Sequence, residues 1–104
     1  MGYLFLIAIP AVAGTQTGKV DNIIVRASDG LIYFVVTGGS KVNSPDCARI
    51  GYWIIKDENS NAGKQQYSML LSAHASGKTI KVSGSNTCSR WPDGEDVDFI
   101  ILLQ

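Results

Sequence analysis

A tryptophan in a polar loop is the residue of this chain best suited to ligand chemistry. Trp91 has serine, asparagine, threonine and acidic residues around it in the sequence. An indole ring can present its flat face to the C–H face of a sugar while neighbouring polar groups bond the hydroxyls. The loop therefore predicts a glycan-binding site, or alternatively an indole that covers the end of the core. The polar side chains available to such a site are those of Asn86, Arg90, Asp93 and Glu95.

The other reactive side chains do not form a catalytic or metal-binding pattern. His74 is the only histidine, so a zinc site lacks its usual second imidazole. We expect it to be half-buried on a helix, with a proton switch at an oligomer interface as the alternative. No serine stands in the G-x-S-x-G setting of a hydrolase nucleophile. The sequence therefore predicts that the protein is not an enzyme and has no cofactor and no metal site.

An acidic run lies between Trp91 and the last apolar segment. Calcium takes several carboxylate and carbonyl oxygens, but this run lacks the spacing of an EF-hand loop. A solvated turn is the simpler interpretation. The run comprises Asp93, Glu95, Asp96 and Asp98.

The chain has two cysteines, Cys47 and Cys88. In an oxidising compartment they are expected to form one disulfide bond. The alternative is a pair of buried free thiols. No C-x-x-C motif is present, which argues against a zinc knuckle or a thioredoxin-like redox site.

Residues 1–14 form an apolar segment without charged side chains, M-G-Y-L-F-L-I-A-I-P-A-V-A-G. The segment ends in Ala11-Val12-Ala13, a cleavage pattern of secretory signal peptides, and it is too short to span a bilayer. It therefore predicts a signal peptide cleaved after Ala13 and a secreted or periplasmic protein. Because no Lys or Arg lies near the start, an N-terminal β-strand over residues 3–9 is the alternative.

Five apolar segments and one amphipathic segment follow. Ser28-Asp29-Gly30 is a tight-turn signal that predicts a hairpin between the first two strands. The run L-I-Y-F-V-V is apolar throughout and predicts a central strand. We predict strands over residues 20–27, 31–36, 47–56, 79–82 and 97–103.

The amphipathic segment predicts a helix from residue 61 or 62 to residue 75. The preceding D-E-N-S-N supplies capping side chains and negative charge at the helix N-terminus. Gly77 stops the helix, and Lys78 complements its negative end. Spacing of i, i+3, i+4 and i+7 predicts one apolar face, made of Tyr67, Leu70, Leu71 and His74.

The resulting order is β-β-β-α-β-β, in a mainly β chain with one α-helix. A helix between the third and fourth strands matches the OB-fold, a five-stranded Greek-key barrel. A closed barrel also leaves no edge strand for aggregation, which suits a β-rich chain of low charge. We therefore predict a single OB-like domain, a small five-stranded barrel, over residues 15–104.

The charge of the chain bears on its partners. Charged residues make up 17% of the chain and the net charge is zero, whereas roughly 25% is average for soluble domains. Nucleic acid and acidic membranes attract basic patches, so neither is an expected partner, and no stable membrane span is expected. A neutral polar surface is common on secreted proteins, and it does not oppose self-association.

A helix, a strand, a cysteine, a tryptophan and a final apolar strand follow one another in the C-terminal half. The segments are Gly63-Lys64, Leu70-Leu71-Ser72-Ala73, Gly77-Lys78-Thr79-Ile80-Lys81-Val82, Cys88-Ser89-Arg90-Trp91-Pro92-Asp93 and Phe99-Ile100-Ile101-Leu102. In this pattern the chain resembles the OB-fold B subunits of bacterial AB5 toxins. It also resembles small exported bacterial proteins of uncharacterised role, which combine a Cys-Ala pair, a Ser-Gly-Lys and a Cys…Trp.

The toxin resemblance implies a ring of five subunits with the helix facing a central pore. It also implies a glycan site in which Trp91 stacks on a sugar and Asp93 hydrogen-bonds it. The chain departs from the family pattern in Pro92, in one additional residue between Cys88 and Trp91, and in the position of Cys47.

These patterns predict a non-enzymatic exported binding module that self-associates. Its partners would be copies of itself and a glycan or cell-surface protein. The alternative is a small structural or interaction protein without a ligand pocket. The ligand-binding residues of the first hypothesis are Trp91, Asp93, Arg90 and Asn86.

Overall fold

The strands of this chain close into a five-stranded barrel that carries one helix. The computed structural model describes residues 12–104, so residues 1–11 of the predicted signal peptide or N-terminal strand lie outside the described residues. The predicted order β-β-β-α-β-β and the OB-like barrel are confirmed. The elements are β1 (Thr15–Val25), β2 (Ile32–Thr37), β3 (Trp53–Ile54), α1 (Asn61–Ser76), β4 (Thr79–Gly84) and β5 (Glu95–Leu102).

β1 pairs with two different strands along its length. Its first part, from Thr15 to Lys19, pairs with β4, and the part from Lys19 to Val25 pairs with β2. A register shift between Val20 and Ile23 follows the change of partner, and such bulges bend a strand and increase its twist. The ring closes in the order β1-β2-β3-β5-β4; β3 and β5 are parallel, and the other neighbours are antiparallel.

The core fills the barrel around Phe34 and Trp53, which are fully buried and face each other in the register of β2 and β3. The indole N–H of Trp53 donates to Gln16 Oε1 at 2.8 Å, and the Gln16 amide donates to the carbonyls of Val36 and Gly39. Because these buried polar groups have partners, their desolvation is largely offset. The rest of the core comprises Val20, Ile32, Val36, Ile55, Leu70, Ala73, Ile80, Val82, Val97 and Ile100.

The predicted start of β1 at residue 20 is wrong, because the strand already begins at Thr15. The inward positions of its first half are Gln16 and Gly18, which carry no apolar side chain. Gly18 lies so close to β2 that a Cβ there would overlap the carbonyl oxygen of Thr37. This part of the strand therefore lacks the alternation of apolar residues that usually indicates a strand, because Gly18 makes a close backbone contact and Gln16 buries an amide.

The predicted third strand over residues 47–56 is also wrong in extent, because only Trp53–Ile54 is regular. The N–H groups of Arg49 and Ile50 both donate to the carbonyl of Asp93, at 2.8 and 3.1 Å. Successive N–H groups of a strand point to opposite sides, so two that share one acceptor belong to a bend. The apolar residues before Trp53 therefore form a loop that packs on the segment around Asp93.

The ends of the helix agree with the prediction. Ser60 is the N-cap, and its hydroxyl accepts the N–H of Gly63 at 2.9 Å. Gly77 ends the helix in the left-handed conformation with φ 69°, which glycine adopts without a Cβ penalty. Among the described residues, no helix has the length and apolar character needed to cross a membrane.

The predicted apolar face of the helix is partly wrong. Leu70 is buried as expected, but Leu71 is 46% exposed and His74 is exposed rather than half-buried. The buried positions are Gly63, Leu70 and Ala73. The helix contacts β1 and β5. Gly63 instead lies against the main chain of Asp57 and Glu58, where a Cβ would overlap the carbonyl of Asp57.

Candidate functional site

Three aromatic side chains meet on the outside of the barrel, and we call Tyr33, Tyr52 and Trp91 the aromatic cluster. Tyr33 lies edge-on to Tyr52, with ring centroids 4.9 Å apart, and edge-on to Trp91 at 5.1 Å. Tyr52 and Trp91 are close to parallel, at 6.4 Å. All three are partly exposed. The cluster therefore combines rigid packing with a flat apolar surface in contact with water.

The loop between β1 and β2 brings a charged pair to this cluster. The guanidinium of Arg26 lies 5.3 Å from the centre of the Trp91 ring, a cation–π distance. Arg26 also forms an ion pair with Asp29 at 2.5 Å. Hydrogen bonds from Arg26 and from the N–H of Leu31 lower the pKa of Asp29 from its usual value to about 2. The carboxylate is therefore charged at all physiological pH values.

Arg90 connects three loops beside the cluster. Its guanidinium donates to both oxygens of Glu58, at 3.2 and 2.6 Å, and to the carbonyl of Asp29 at 3.0 Å. This hydrogen bonding holds the pKa of Glu58 below its usual value and raises that of Arg90. An open polar groove runs alongside, lined by Lys56, Asp57, Glu58, Asn59, Ser89 and Arg90 together with Asp29.

The buried side chain of Asp96 holds the loop between β4 and β5 through hydrogen bonds. Its buried carboxylate accepts hydrogen bonds from the Thr87 hydroxyl at 2.6 Å and from the N–H groups of Ser89 and Arg90 at 2.9 and 3.1 Å. Burial raises the pKa of Asp96, but these hydrogen bonds together lower it by more. One carboxylate thus sets the backbone conformation that places Arg90 and Trp91.

The predicted Cys47–Cys88 disulfide is present, with a Cα–Cα distance of 6.2 Å. It joins the loop before β3 to the loop between β4 and β5. Both loops border the aromatic cluster, since Tyr52 follows the first loop and Trp91 lies in the second. A disulfide is consistent with an extracellular or periplasmic protein, because reducing compartments disfavour such bonds.

The structure brings two of the four predicted ligand-binding residues together, because Trp91 and Arg90 meet through Arg26 and Asp29. Asp93 participates through its main-chain carbonyl, which accepts from Arg49 and Ile50. Asn86 is farther along the loop; it adopts φ 62°, and its N–H donates to Glu95 Oε2 at 3.0 Å. Within residues 12–104, no hydrogen bond or ion pair links the side chains of Asp93 or Asn86 to the cluster.

Sequence reasoning missed the partners of Trp91. Tyr33 alternates with buried Ile32 and Phe34 along β2, so period-two alternation could have identified it as outward-facing. Tyr52, Arg26 and Asp29 carry no comparable signal, because barrel closure rather than local sequence brings them to Trp91.

Comparisons with known proteins give no further information on the site: no family model, curated protein or solved structure matches this chain. Residues 12–104 contain no group of three or more His, Cys, Asp or Glu side chains placed to hold a metal ion. The acidic run is divided, with Glu95 and Asp96 buried and Asp98 exposed. What the surface offers is a set of aromatic rings with fixed hydrogen-bonding groups beside them.

Proposed function

We propose that this protein is a non-enzymatic, exported binding module that recognises a glycan through the aromatic cluster and self-associates. One observation carries the proposal: Trp91 is partly exposed in a packed cluster between the β1–β2 and β4–β5 loops. The face of β2 and β3 and these two loops form the surface on which OB-folds bind oligosaccharides and oligonucleotides. The location of the cluster on this surface supports the proposal.

The charges around the cluster favour a sugar over a nucleic acid. Arg26 and Arg90 are each paired with an acidic side chain, Asp29 and Glu58 respectively. The local charge is thus balanced, whereas nucleic-acid sites are predominantly positive. Neutral sugars need ring faces for stacking and alternating donors and acceptors for hydroxyl groups, and this surface supplies both.

Export is supported by two independent features. The disulfide needs an oxidising compartment to persist. The apolar N-terminal segment that ends in Ala11-Val12-Ala13 has the form of a cleaved leader. A secreted or periplasmic location accounts for both.

The glycan proposal is tested by titrating mono- and oligosaccharides into the protein and measuring the fluorescence of Trp91. Of the two tryptophans, Trp53 is fully buried, so surface quenching and ligand-induced fluorescence changes report on Trp91. We expect binding with a Kd of about 1 mM or tighter. Trp91→Ala should lose this binding, which is measured by isothermal titration calorimetry because the variant lacks the fluorescent reporter. Leu71→Ala, which removes an exposed apolar side chain of α1, is the matched control. A broad sugar panel that produces no Trp91-dependent signal would refute the proposal.

Self-association is supported by apolar side chains on the outer face of β5. Phe99 is 44% and Ile101 is 41% exposed, and the zero net charge gives copies little reason to repel each other. We expect sedimentation velocity to detect an oligomer that a Phe99→Ser/Ile101→Ser variant disrupts. Val25→Ser, at an exposed valine of β1, should leave it intact. A wild-type monomer at about 100 μM would contradict this part of the proposal.

The alternative, an interaction protein without a ligand pocket, has one observation in its favour. Arg26 and Tyr52 both lie against the Trp91 indole, so part of its surface is already covered. In that case Trp91 closes the barrel wall, and Trp91→Ala destabilises the fold. Measuring urea unfolding of Trp91→Ala beside its sugar binding separates the two functions.

A further inference from the structure

Among residues 12–104, no salt bridge is formed by the buried carboxylate of Glu95, which lies next to Gly14. Glu95 is fully buried, and its Oε2 accepts hydrogen bonds from the N–H of Gly14 at 3.1 Å and of Asn86 at 3.0 Å. Within residues 12–104, its Oε1 has no hydrogen-bond partner. A buried carboxylate is costly unless charges or hydrogen bonds compensate it. The carboxylate can therefore accept at least one further hydrogen bond.

The nearby lysine does not fill this gap. The ammonium of Lys41 lies 4.3 Å from the centre of the Trp53 ring, and it forms no ion pair or hydrogen bond within the described part of the chain. Burial lowers the pKa of Lys41, and the charge of Glu95 opposes this effect. The two groups therefore interact electrostatically but do not pair.

The main chain of Gly14 is held at the carboxylate by the barrel itself. Its carbonyl accepts the N–H of Gly84 at 2.8 Å, and the next residue, Thr15, exchanges two hydrogen bonds with Val42. A Cβ at Gly14 would overlap Glu95 Oε1, so the orphan oxygen also lies against this glycine. Contacts made by Gly14 and Thr15 themselves thus help to position the Gly14 nitrogen next to the carboxylate.

The sequence places a cleavage pattern immediately before this nitrogen. Ala11-Val12-Ala13 is followed directly by Gly14, and signal peptides are removed after such a motif. Gly14 is buried while Val12 is 59% exposed, so the chain leaves the barrel at this point. The pairing of β1 with β4 is made by residues from Thr15 onward, all of which a cleavage after Ala13 retains.

We propose that the mature protein begins at Gly14 and that its α-ammonium forms a buried ion pair with Glu95. A signal peptidase hydrolyses the Ala13–Gly14 bond: the water hydroxyl adds to the Ala13 carbonyl, and its proton goes to the Gly14 nitrogen. The new amine binds a further proton from solvent at neutral pH. The resulting ammonium has three donors where the peptide had one, enough for both carboxylate oxygens.

Through the ion pair, removal of the signal peptide would affect the loop that carries Trp91. Glu95 also accepts the N–H of Asn86 in the β4–β5 loop, which carries Trp91. Processing would therefore complete the support of that loop. The inference rests on the export part of the proposed function and not on sugar binding.

The first test is the intact mass of the protein exported by a host that processes it. The expected product is the chain from Gly14 to Gln104 with the disulfide formed. A mature chain that starts at any other residue would overturn the proposal. A protein that starts at Gly14 and binds no sugar would contradict the glycan proposal alone.

The second test compares Tm for the chain beginning at Gly14 and the same chain extended by Val12-Ala13. We expect the free Gly14 amine to raise Tm by about 5 °C or more. In Glu95→Gln the two forms should melt within about 1 °C of each other, whereas in Lys41→Met the difference should persist. Equal Tm values in the wild type, or a difference that survives Glu95→Gln, would refute the ion pair.

A third measurement covers the case in which Glu95→Gln does not fold. Acylation of the Gly14 amine in the native protein should be slower than in urea by about tenfold or more, because a buried amine reacts only after local opening. An amine that reacts at the same rate in both states would contradict burial against Glu95.

Discussion

Asp29 and Arg90 show how single residues organise the candidate binding surface. The side chain of Asp29 pairs with Arg26, and its carbonyl accepts from Arg90. Arg90 in turn holds Glu58 through two hydrogen bonds. Arg26 contacts Trp91 directly. The position of the indole therefore depends on a chain of charges that are satisfied within the protein before any ligand binds.

We expect Asp29 to titrate at about pH 2 in the folded protein. Its unfolded pKa is about 3.9, so the folded value is depressed. The associated stabilisation is present above about pH 4 and is lost as pH falls through about 2. NMR titration of the side-chain carboxyl measures the midpoint. Arg26→Gln should raise the titration midpoint of Asp29 toward the pKa of the unfolded chain. Arg49→Gln, at an exposed arginine, should leave the midpoint unchanged. A midpoint near 4 in the wild type would contradict the pairing.

The sequence identifies part of this site and misses the rest for a physical reason. Trp91 and Arg90 are recognisable because they share one polar loop. Tyr33, Tyr52 and Arg26 join them from other parts of the chain. These residues are brought together by strand pairing and by the Cys47–Cys88 bond. Neither kind of long-range contact can be predicted from the sequence pattern of a single segment.

At the scale of elements, α1 and β3 differ in how strongly the local sequence determines them. α1 has a side-chain cap at Ser60 and a glycine stop at Gly77, and both signals are local. Its bounds were therefore predicted within a residue. β3 is defined by its neighbours β2 and β5, and the bend at Arg49 and Ile50 depends on the distant carbonyl of Asp93. Its extent was therefore not predictable from the sequence.

We expect Gly63→Ala to destabilise the protein although alanine is the better helix former. Propensity alone would favour alanine by about 1 kcal/mol. A Cβ at this position, however, would overlap the main-chain carbonyl of Asp57, and such overpacking costs about 1–3 kcal/mol or more. Urea unfolding measures the difference. Ser68→Ala, at an exposed position of the same helix, is the matched control and should be neutral or stabilising. A stabilised Gly63→Ala would show that the helix does not pack as closely as described.

At the scale of the whole molecule, the barrel and the disulfide act on the same region. Closure brings the β1–β2 and β4–β5 loops side by side, and Cys47–Cys88 then joins the second loop to the segment before β3. The order of elements was predictable because turn signals and caps separate them clearly. The inward orientation of Gln16 and Gly18 in β1 was not predictable, because neither residue has the apolar side chain that usually indicates a core position.

Removal of the disulfide should cost a large share of the stability. The bond spans a sequence separation of 41, for which the chain-entropy model gives about 4 kcal/mol. We expect Cys47→Ala/Cys88→Ala to lower the urea midpoint markedly, with Ser40→Ala/Ser44→Ala as the control at two exposed positions before β3. An unchanged midpoint would mean that the bond does not constrain the unfolded chain.

The shortness of β3 has a consequence for how copies of this protein could join. Among the described residues, the two-residue strand β3 is the only strand between β2 and β5, so its local unfolding would open the barrel into a curved sheet with two free edges. Unpaired edges are templates for strand exchange between molecules. The buried indole of Trp53, hydrogen-bonded to Gln16, holds β3 in the barrel, so we expect it to limit strand exchange between molecules.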